Sequence, residues 1–436
     1  MQTLLGQTLG STPVARVLDE QTPDARVDAD RASRPATALL ATSAVVLVGA
    51  GVACAFWMYH RTPPPPLRRF DLGDLAVYRA AGRAITHGRS VYGSYVHDQL
   101  RVPLPFIYPP IAALLAAPMT YLGETAASLV WTAVTVVLLG VVVRVCFAPI
   151  LERLGGRAPI ALVLAVGAMA ALAPVEEHLR FGQVGIPLMA CCVLDCMLPR
   201  TRWPRGLLVG IATAFKLVPG IFIPYLALTR RWRAAGVAVA TFLGLSLLGV
   251  AVAPSDSWQF WTDKMFQPTS PTFFTNQSLE GILERAISGP WRLAWVASVA
   301  VVVTFGMWQA VVASLAGDEL RGVAITGLVG VLVSPVSWIH HLVWIIPALA
   351  VIVGRGNDKR RIALAFVLAA LFVARLPYVG HDELHERGAL ASLLEDSFGL
   401  LCLGVLVYLT EPLRLARRVS AKRATRSPAM TSATRR

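Results

Sequence analysis

Four stretches of this chain, Pro35 to Tyr59, Ala234 to Ser255, Leu293 to Gly317 and Gly322 to Gly354, contain no acidic residue, lysine or arginine. Each exceeds the ~20 residues that cross ~30 Å of hydrocarbon at ~1.5 Å per helical residue. A backbone in lipid has no water to bond, so such stretches must close their own hydrogen bonds as helices. The composition agrees: 55% of residues are hydrophobic and 15% charged, against roughly 25% charged in a soluble domain. Soluble α/β enzymes, secreted disulfide scaffolds and disordered proteins are thereby excluded, and an all-α polytopic membrane protein is expected.

Apolar segments fall near 36–58, 108–122, 124–146, 157–174, 182–198, 206–228, 234–254, 292–316, 321–337, 340–354, 362–377 and 394–411. The connections at 199–205, 229–233 and 355–361 are rich in arginine and should lie in the cytoplasm. Loops 59–107, 255–291 and 378–393 then fall outside. Segment 206–228 has basic flanks at both ends and carries Lys216, Pro219 and Pro224, so it is expected to enter and return; 108–122 is likewise short. About ten crossings and two re-entrant or interfacial hairpins follow, both termini inside. Broken backbone is tolerated at membrane depth only where protein or a wet cavity satisfies it, so it points to a site.

The net charge of +14 does not call for nucleic acid. Residues 412–436 hold eight basic residues and no acid, a tail that reads as an orientation signal on anionic lipid. Residues 1–35, rich in Ser, Thr, Pro, Asp and Arg, read as a disordered cytoplasmic lead with no signal peptide, because the first apolar run is too long for one. The six cysteines lie in or beside apolar segments without CxxC spacing and read as buried hydrophobes.

Function should lie where lipid-embedded protein keeps costly polar groups. Asp71 and Asp74, three residues apart, follow the proline run Pro63 to Pro66. Read alone, Asp74 is either the N-cap of the next helix or a functional carboxylate. Leu104-Pro105-Phe106-Ile107-Tyr108-Pro109-Pro110 leads into the short segment, with Phe106 suited to an interfacial belt. Arg180-Phe181-Gly182-Gln183 stands at the outer end of a span, after Glu176, Glu177 and His178, and Asn276-Gln277-Ser278 lies in the large external loop. His340 and His341 sit between Trp338 and Trp344. Adjacent side chains point about 100° apart on a helix, so one imidazole faces a cavity while the other packs. As a zinc site the pair has the wrong spacing.

Taken in order, Asp74 to Tyr78, Gly88 with Tyr92, Leu104 to Pro110, Gly182-Gln183, Lys216 to Pro219, Asn276 to Gly281 and Ser334 to His341 resemble the polyprenyl-phosphate-mannose-dependent α-(1→2)-mannosyltransferases of actinobacteria, glycosyltransferase family 87 of the GT-C superfamily. The resemblance runs from about residue 70 to 350. It implies a GT-C helical bundle over 36–411, an active site at the external face of the plasma membrane and a mannosylated glycolipid product. It also implies a catalytic acid at Asp74 and a His-His block lining the site. One departure stands out: the family follows Gly-Gln with an apolar residue and Asn, whereas here Val184 precedes Gly185.

Transfer from a β-linked mannosyl phosphate lipid to an α linkage inverts the anomeric carbon, and an inverting enzyme needs one base for the acceptor hydroxyl. Asp74 is assigned that role. His340, His341, Arg180 and Lys216 are expected to meet the leaving phosphate, Asp71 to orient, and Tyr78, Tyr108, Gln183, Asn276, Gln277 and Trp338 to line the substrate cavity. No cofactor or metal is called for, and the absence of a glycine-rich phosphate loop fits a lipid-phosphate donor. The partners are then polyprenyl-phosphate-mannose, a glycolipid acceptor and membrane lipid. Two alternatives stay open: an arabinofuranosyltransferase using polyprenyl-phosphate arabinose, and a transporter or flippase, for which no inverted repeat is visible.

Overall fold

The computed structural model describes residues 72–93, 96, 104–267, 272–383 and 388–410. The apolar segment at 36–58, the lead at 1–35, the tail at 412–436 and Asp71 lie outside them. The described chain is helical: α1 Gly73–Thr86, α2 Pro110–Ala116 with a 3-10 turn to Tyr121, α3 Glu124–Cys146, α4 Ala148–Ala170, α5 Ala173–Phe181, α6 Gly185–Met197, α7 Leu207–Phe215 and α8 Phe222–Leu228. Then come α9 Trp232–Val252, α10 Pro254–Thr262, α11 Leu279–Ala286, α12 Trp291–Leu315, α13 Glu319–Val333, a 3-10 turn Ile339–Trp344 running into α14 Ile345–Val353, α15 Lys359–Val373, α16 Ala389–Glu395 and α17 Ser397–Leu409.

Helices α3, α4, α9 and α12 are long and apolar enough to cross a bilayer. Three bent pairs raise the number to seven: α5 with α6, α15 with Leu376–Asp382, and α16 with α17. Their outward residues are greasy: Leu164, Leu247, Val301 and Phe366 are each more than 60% exposed, a surface fit for lipid. The protein is a multi-pass membrane protein. Helix α13 is buried over nearly its whole length and forms the centre. It lets neighbours approach through Gly327, where a Cβ would fall 2.0 Å from the Trp344 ring, the small-residue packing usual in membrane bundles.

Two expectations change in detail. The segment placed at 157–174 is helix α4, which starts at Ala148 and ends at Ala170. The Glu176 to Arg180 stretch is the separate helix α5, turned 115° from α6. Gly182 makes that corner with φ 69°, the left-handed conformation that closes helices. Segment 206–228 breaks at Lys216, between α7 and the 3-10 turn Val218–Ile221. Both its ends lie beside the start of α9: Gly206 abuts the Ala234 carbonyl, and Arg231 N donates to Leu226 O at 2.9 Å. The segment therefore returns to the end it came from.

The arginine-rich connections gather at one end of the bundle. Glu319, at the start of α13, accepts from Arg231 Nη1 at 2.8 Å and the Tyr225 hydroxyl at 3.0 Å. Asp195, near the end of α6, accepts from Gly206 N, Val209 N and Trp203 Nε1 at 2.9, 3.1 and 3.1 Å. Arg153 donates to the carbonyls of Arg355 and Gly356. The opposite ends of α6 and α13, at Gly185 and Val333, meet the residues described next.

Candidate active site

Helix α1 begins abruptly. Leu72, its N-cap, adopts a left-handed φ of 44° without a side-chain cap, a conformation rare for a residue with a Cβ. Asp74 is thus not the cap but stands inside the first turn, half-buried, where the helix macrodipole favours a carboxylate. The apolar face of α1, including Leu75, Val77, Tyr78 and Ala81, is buried against the α2 region. Arg79, 7% exposed, clamps the pair by donating to the carbonyls of Met119 at 3.3 Å and Leu122 at 2.9 Å. Gly182 closes the other side: a Cβ there would stand 2.9 Å from Leu75 Cβ. The corner between α5 and α6 therefore fixes where α1 starts.

One turn after Asp74, the Tyr78 hydroxyl donates to Gln183 Oε1 at 2.9 Å and lies 3.1 Å from the Tyr108 hydroxyl. Burial pushes the Tyr78 phenol well above its usual range, and the hydroxyl of Tyr108 and the charge of Asp74 add to this. Both phenols stay protonated and serve as donors. Phe215 meets the edge of Tyr78, its ring centroid 5.9 Å away, and Lys216 Nζ lies 5.4 Å from the centre of the Tyr108 ring. Asp74 acts electrostatically on Tyr78, Tyr108 and Lys216 alike. The carboxylate thus lies within electrostatic reach of the two phenols and the lysine.

From Lys216 the polar contacts continue to the histidines. Lys216 Nζ lies 2.8 Å from His341 Nε2. Trp338 N donates to His341 Nδ1 at 3.2 Å while His341 N donates to Trp338 O at 2.7 Å, so the turn orients this ring. The His340 ring stands edgewise to His341 at 4.6 Å and to Phe181 at 5.6 Å. Among the described residues neither His340 nitrogen has a hydrogen-bond partner, although the residue is 6% exposed. A cavity lined by Gly185, Lys216, Ser337, His341 and Trp344 lies beside them.

Asn276 and Gln277, expected in the substrate cavity, are instead 0% exposed and bonded to backbone. Asn276 Oδ1 accepts from Ser337 N at 2.8 Å and Ser278 N at 3.2 Å, and its amide donates to Pro335 O at 3.3 Å. Gln277 N donates to Ser337 O at 2.7 Å, its side chain donates to the carbonyls of Phe274 and Glu395, and its Oε1 accepts from Gly399 N. They brace the turn that carries the histidines, because buried backbone groups left by the break after α13 need partners. Trp338 is half-buried on the same brace, edge-on to Phe273. Arg180 stacks over Phe181 at 5.3 Å.

Three contributors escaped the sequence reading. His178 Nε2 accepts from Ile186 N at 2.7 Å and locks the corner after Gly182. Phe215 packs on both phenols. Glu177 is buried beside His340. The pairing of Glu176, Glu177 and His178 in sequence was the only signal available for the first and last.

Residues 106–335 match glycosyltransferase family 87. Over 341 residues the chain is 36% identical to the polyprenol-phosphate-mannose-dependent alpha-(1-2)-phosphatidylinositol mannoside mannosyltransferase of Mycobacterium tuberculosis, covering 74% of this chain and 78% of that one. The protein of the same description from Mycolicibacterium smegmatis is 35% identical over 68% of this chain and 73% of its own. A polyprenol-phosphate-mannose-dependent alpha-(1-2)-phosphatidylinositol pentamannoside mannosyltransferase of M. tuberculosis is 33% identical over 63% of this chain and 64% of its own. No solved structure matches.

Proposed function

This chain belongs to glycosyltransferase family 87, and from that membership we propose that it moves mannose from polyprenyl-phosphate-mannose to a glycolipid of the phosphatidylinositol mannoside type, forming an α-(1→2) linkage. The observation that carries the reading is that Asp74 lies within electrostatic reach of Lys216, which itself stands 2.8 Å from His341 Nε2, at the end of the bundle away from the arginine-rich connections. Those connections belong in the cytoplasm. The pocket is accordingly assigned to the external face, with both termini cytoplasmic.

In this mechanism Asp74 takes the proton of the acceptor hydroxyl as that oxygen bonds to the anomeric carbon. The bond from that carbon to the phosphate oxygen breaks on the opposite face, and polyprenyl phosphate leaves with the electron pair. Its charge grows from one to two beside hydrocarbon, where fixed donors act more strongly than in water. Lys216 and His341, already within a hydrogen bond of each other, offer a joint site for that phosphate. The Gln183 amide nitrogen donates to a sugar hydroxyl in this scheme, while its Oε1 holds the Tyr78 hydroxyl. The Lys216 ammonium carries the phosphate's charge in this scheme, so transfer is expected to persist in EDTA.

The test is transfer of label from polyprenyl-phosphate-[14C]mannose and from polyprenyl-phosphate-arabinose in membranes containing this chain. Label should enter glycolipid from the mannose donor and fall by roughly 10³-fold in Asp74→Asn, which removes the base with little change of shape. Label entering only from the arabinose donor sinks the choice of sugar. Undiminished transfer in Asp74→Asn removes that carboxylate from the mechanism.

A further inference from the structure

Glu177 is a buried acid that this mechanism leaves unused, and unlike Asp195 it faces a histidine of the site block. It is 2% exposed on α5, and its Oε1 accepts the Tyr378 hydroxyl at 2.5 Å. Its other oxygen, Oε2, points to His340, 4.0 Å from Nδ1. Among the described residues His340 has no hydrogen-bond partner on either nitrogen, and an imidazole buried without partners is costly unless a ligand supplies them. The neighbouring Glu176 does something different: it pairs with Arg375 at 2.9 Å on a part-exposed surface. Of two identical adjacent side chains, only Glu177 turns toward His340.

We propose that Glu177 is a positioning residue: once the phosphate of the lipid-linked sugar is bound, His340 is an imidazolium with Nδ1–H directed to the Glu177 carboxylate and Nε2–H donated to that phosphate. The proposal rests on the phosphate-facing reading of the histidine block. Burial and the Lys216 ammonium oppose a charge on this imidazole, so the Glu177 carboxylate and the bound phosphate together supply the counter-charge. The proton taken up as the phosphate binds offsets the negative charge the phosphate gains when its bond to the sugar breaks. The 4.0 Å gap is the loose geometry expected before substrate draws the ring into line. Tyr378, stacked under Arg375 at 4.9 Å, holds the carboxylate in its rotamer from the far side.

A purely structural role makes a different prediction. Glu177→Gln keeps size and keeps an acceptor for the Tyr378 hydroxyl but removes the charge. If Glu177 only ties α5 to the Tyr378 turn, the variant should behave as wild type. In our proposal, inhibition by added polyprenyl phosphate weakens by about 10-fold or more, the strength of a charge-assisted bond, while the acceptor KM and thermal midpoint hold. In a His340→Gln background the same change should add less than about twofold, because the two residues act as one unit. Unchanged inhibition by polyprenyl phosphate, or an equal loss with and without His340, overturns the proposal. Should Glu177→Gln not accumulate in membranes, Glu177→Asp replaces it: withdrawing the charge by one methylene should weaken product inhibition severalfold, and only when His340 is present. Product binding requires no proton abstraction, so active Asp74→Asn enzyme would sink the base assignment without touching this result.

Discussion

Gly182→Ala tests whether the corner between α5 and α6 sets the reach of Asp74. The substitution carries two separable penalties. The first is conformational: φ of 69° is left-handed, and a residue with a Cβ loses ~1–2 kcal/mol there. The second is a collision, since the new methyl would stand 2.9 Å from Leu75 Cβ and 3.2 Å from Leu72 Cδ2. Carbon atoms rest at about 3.5–4.0 Å, so the gap must open by roughly 0.6–1 Å. Leu75 Cβ has no rotamer to escape into, being fixed to its own backbone. The first turn of α1 must move, and Asp74 moves with it. A displacement of ~1 Å can lower a rate ~10²-fold, so kcat for mannosyl transfer should fall by roughly 30- to 100-fold while the protein still inserts. Gly88 supplies the control: its φ is 64°, yet no atom lies within 4 Å of where its Cβ would be. Gly88→Ala therefore meets only the first penalty and should keep its rate within about twofold. Initial rates at saturating donor and acceptor, with thermal unfolding alongside, measure both. If Gly182→Ala transfers at the wild-type rate, or if Gly88→Ala loses as much activity, the corner does not position the acid.

Asn276→Ala should destabilise the protein without a direct effect on substrate contacts: it removes the acceptor of the buried Ser337 N and Ser278 N, at ~1–3 kcal/mol for each buried group left unmade, and a lowered thermal midpoint reports it. Lys216→Met keeps the length and packing of the side chain over Tyr108 but removes its charge, so the donor KM should rise about 10-fold with the acceptor KM held, read from initial rates with each substrate varied. The sidedness assigned to the pocket is checked by an impermeant thiol reagent on intact cells: Trp258→Cys, at a site 74% exposed, should label, and Arg202→Cys, on an exposed arginine-rich connection, should label only after the membrane is opened.

Much of the bundle was legible because one quantity, uncharged length, decides whether a segment crosses lipid; α3, α9 and α12 fall within a residue or two of where apolar runs place them. The break at Lys216 was legible for the same reason inverted, since a lysine and two prolines inside an apolar run need a polar destination, and the structure supplies Tyr108 and His341. The roles of Asn276 and Gln277 were not. An amide offers the same donors and acceptor whether it faces a sugar or a backbone, so residue type cannot separate ligand from brace; what decides it is that α13 ends before the histidine turn and leaves peptide groups that Asn276 and Gln277 must answer. Glu176 and Glu177 pose the same ambiguity in sharper form. Side chain and local sequence are alike, and only the ~100° step around α5 sends one to Arg375 and the other to His340. In a membrane enzyme the hydrocarbon dictates the helices, but the division of polar residues between holding the backbone and holding the substrate is a tertiary outcome. A break in a helix therefore marks the site more reliably than the identity of any one polar residue near it.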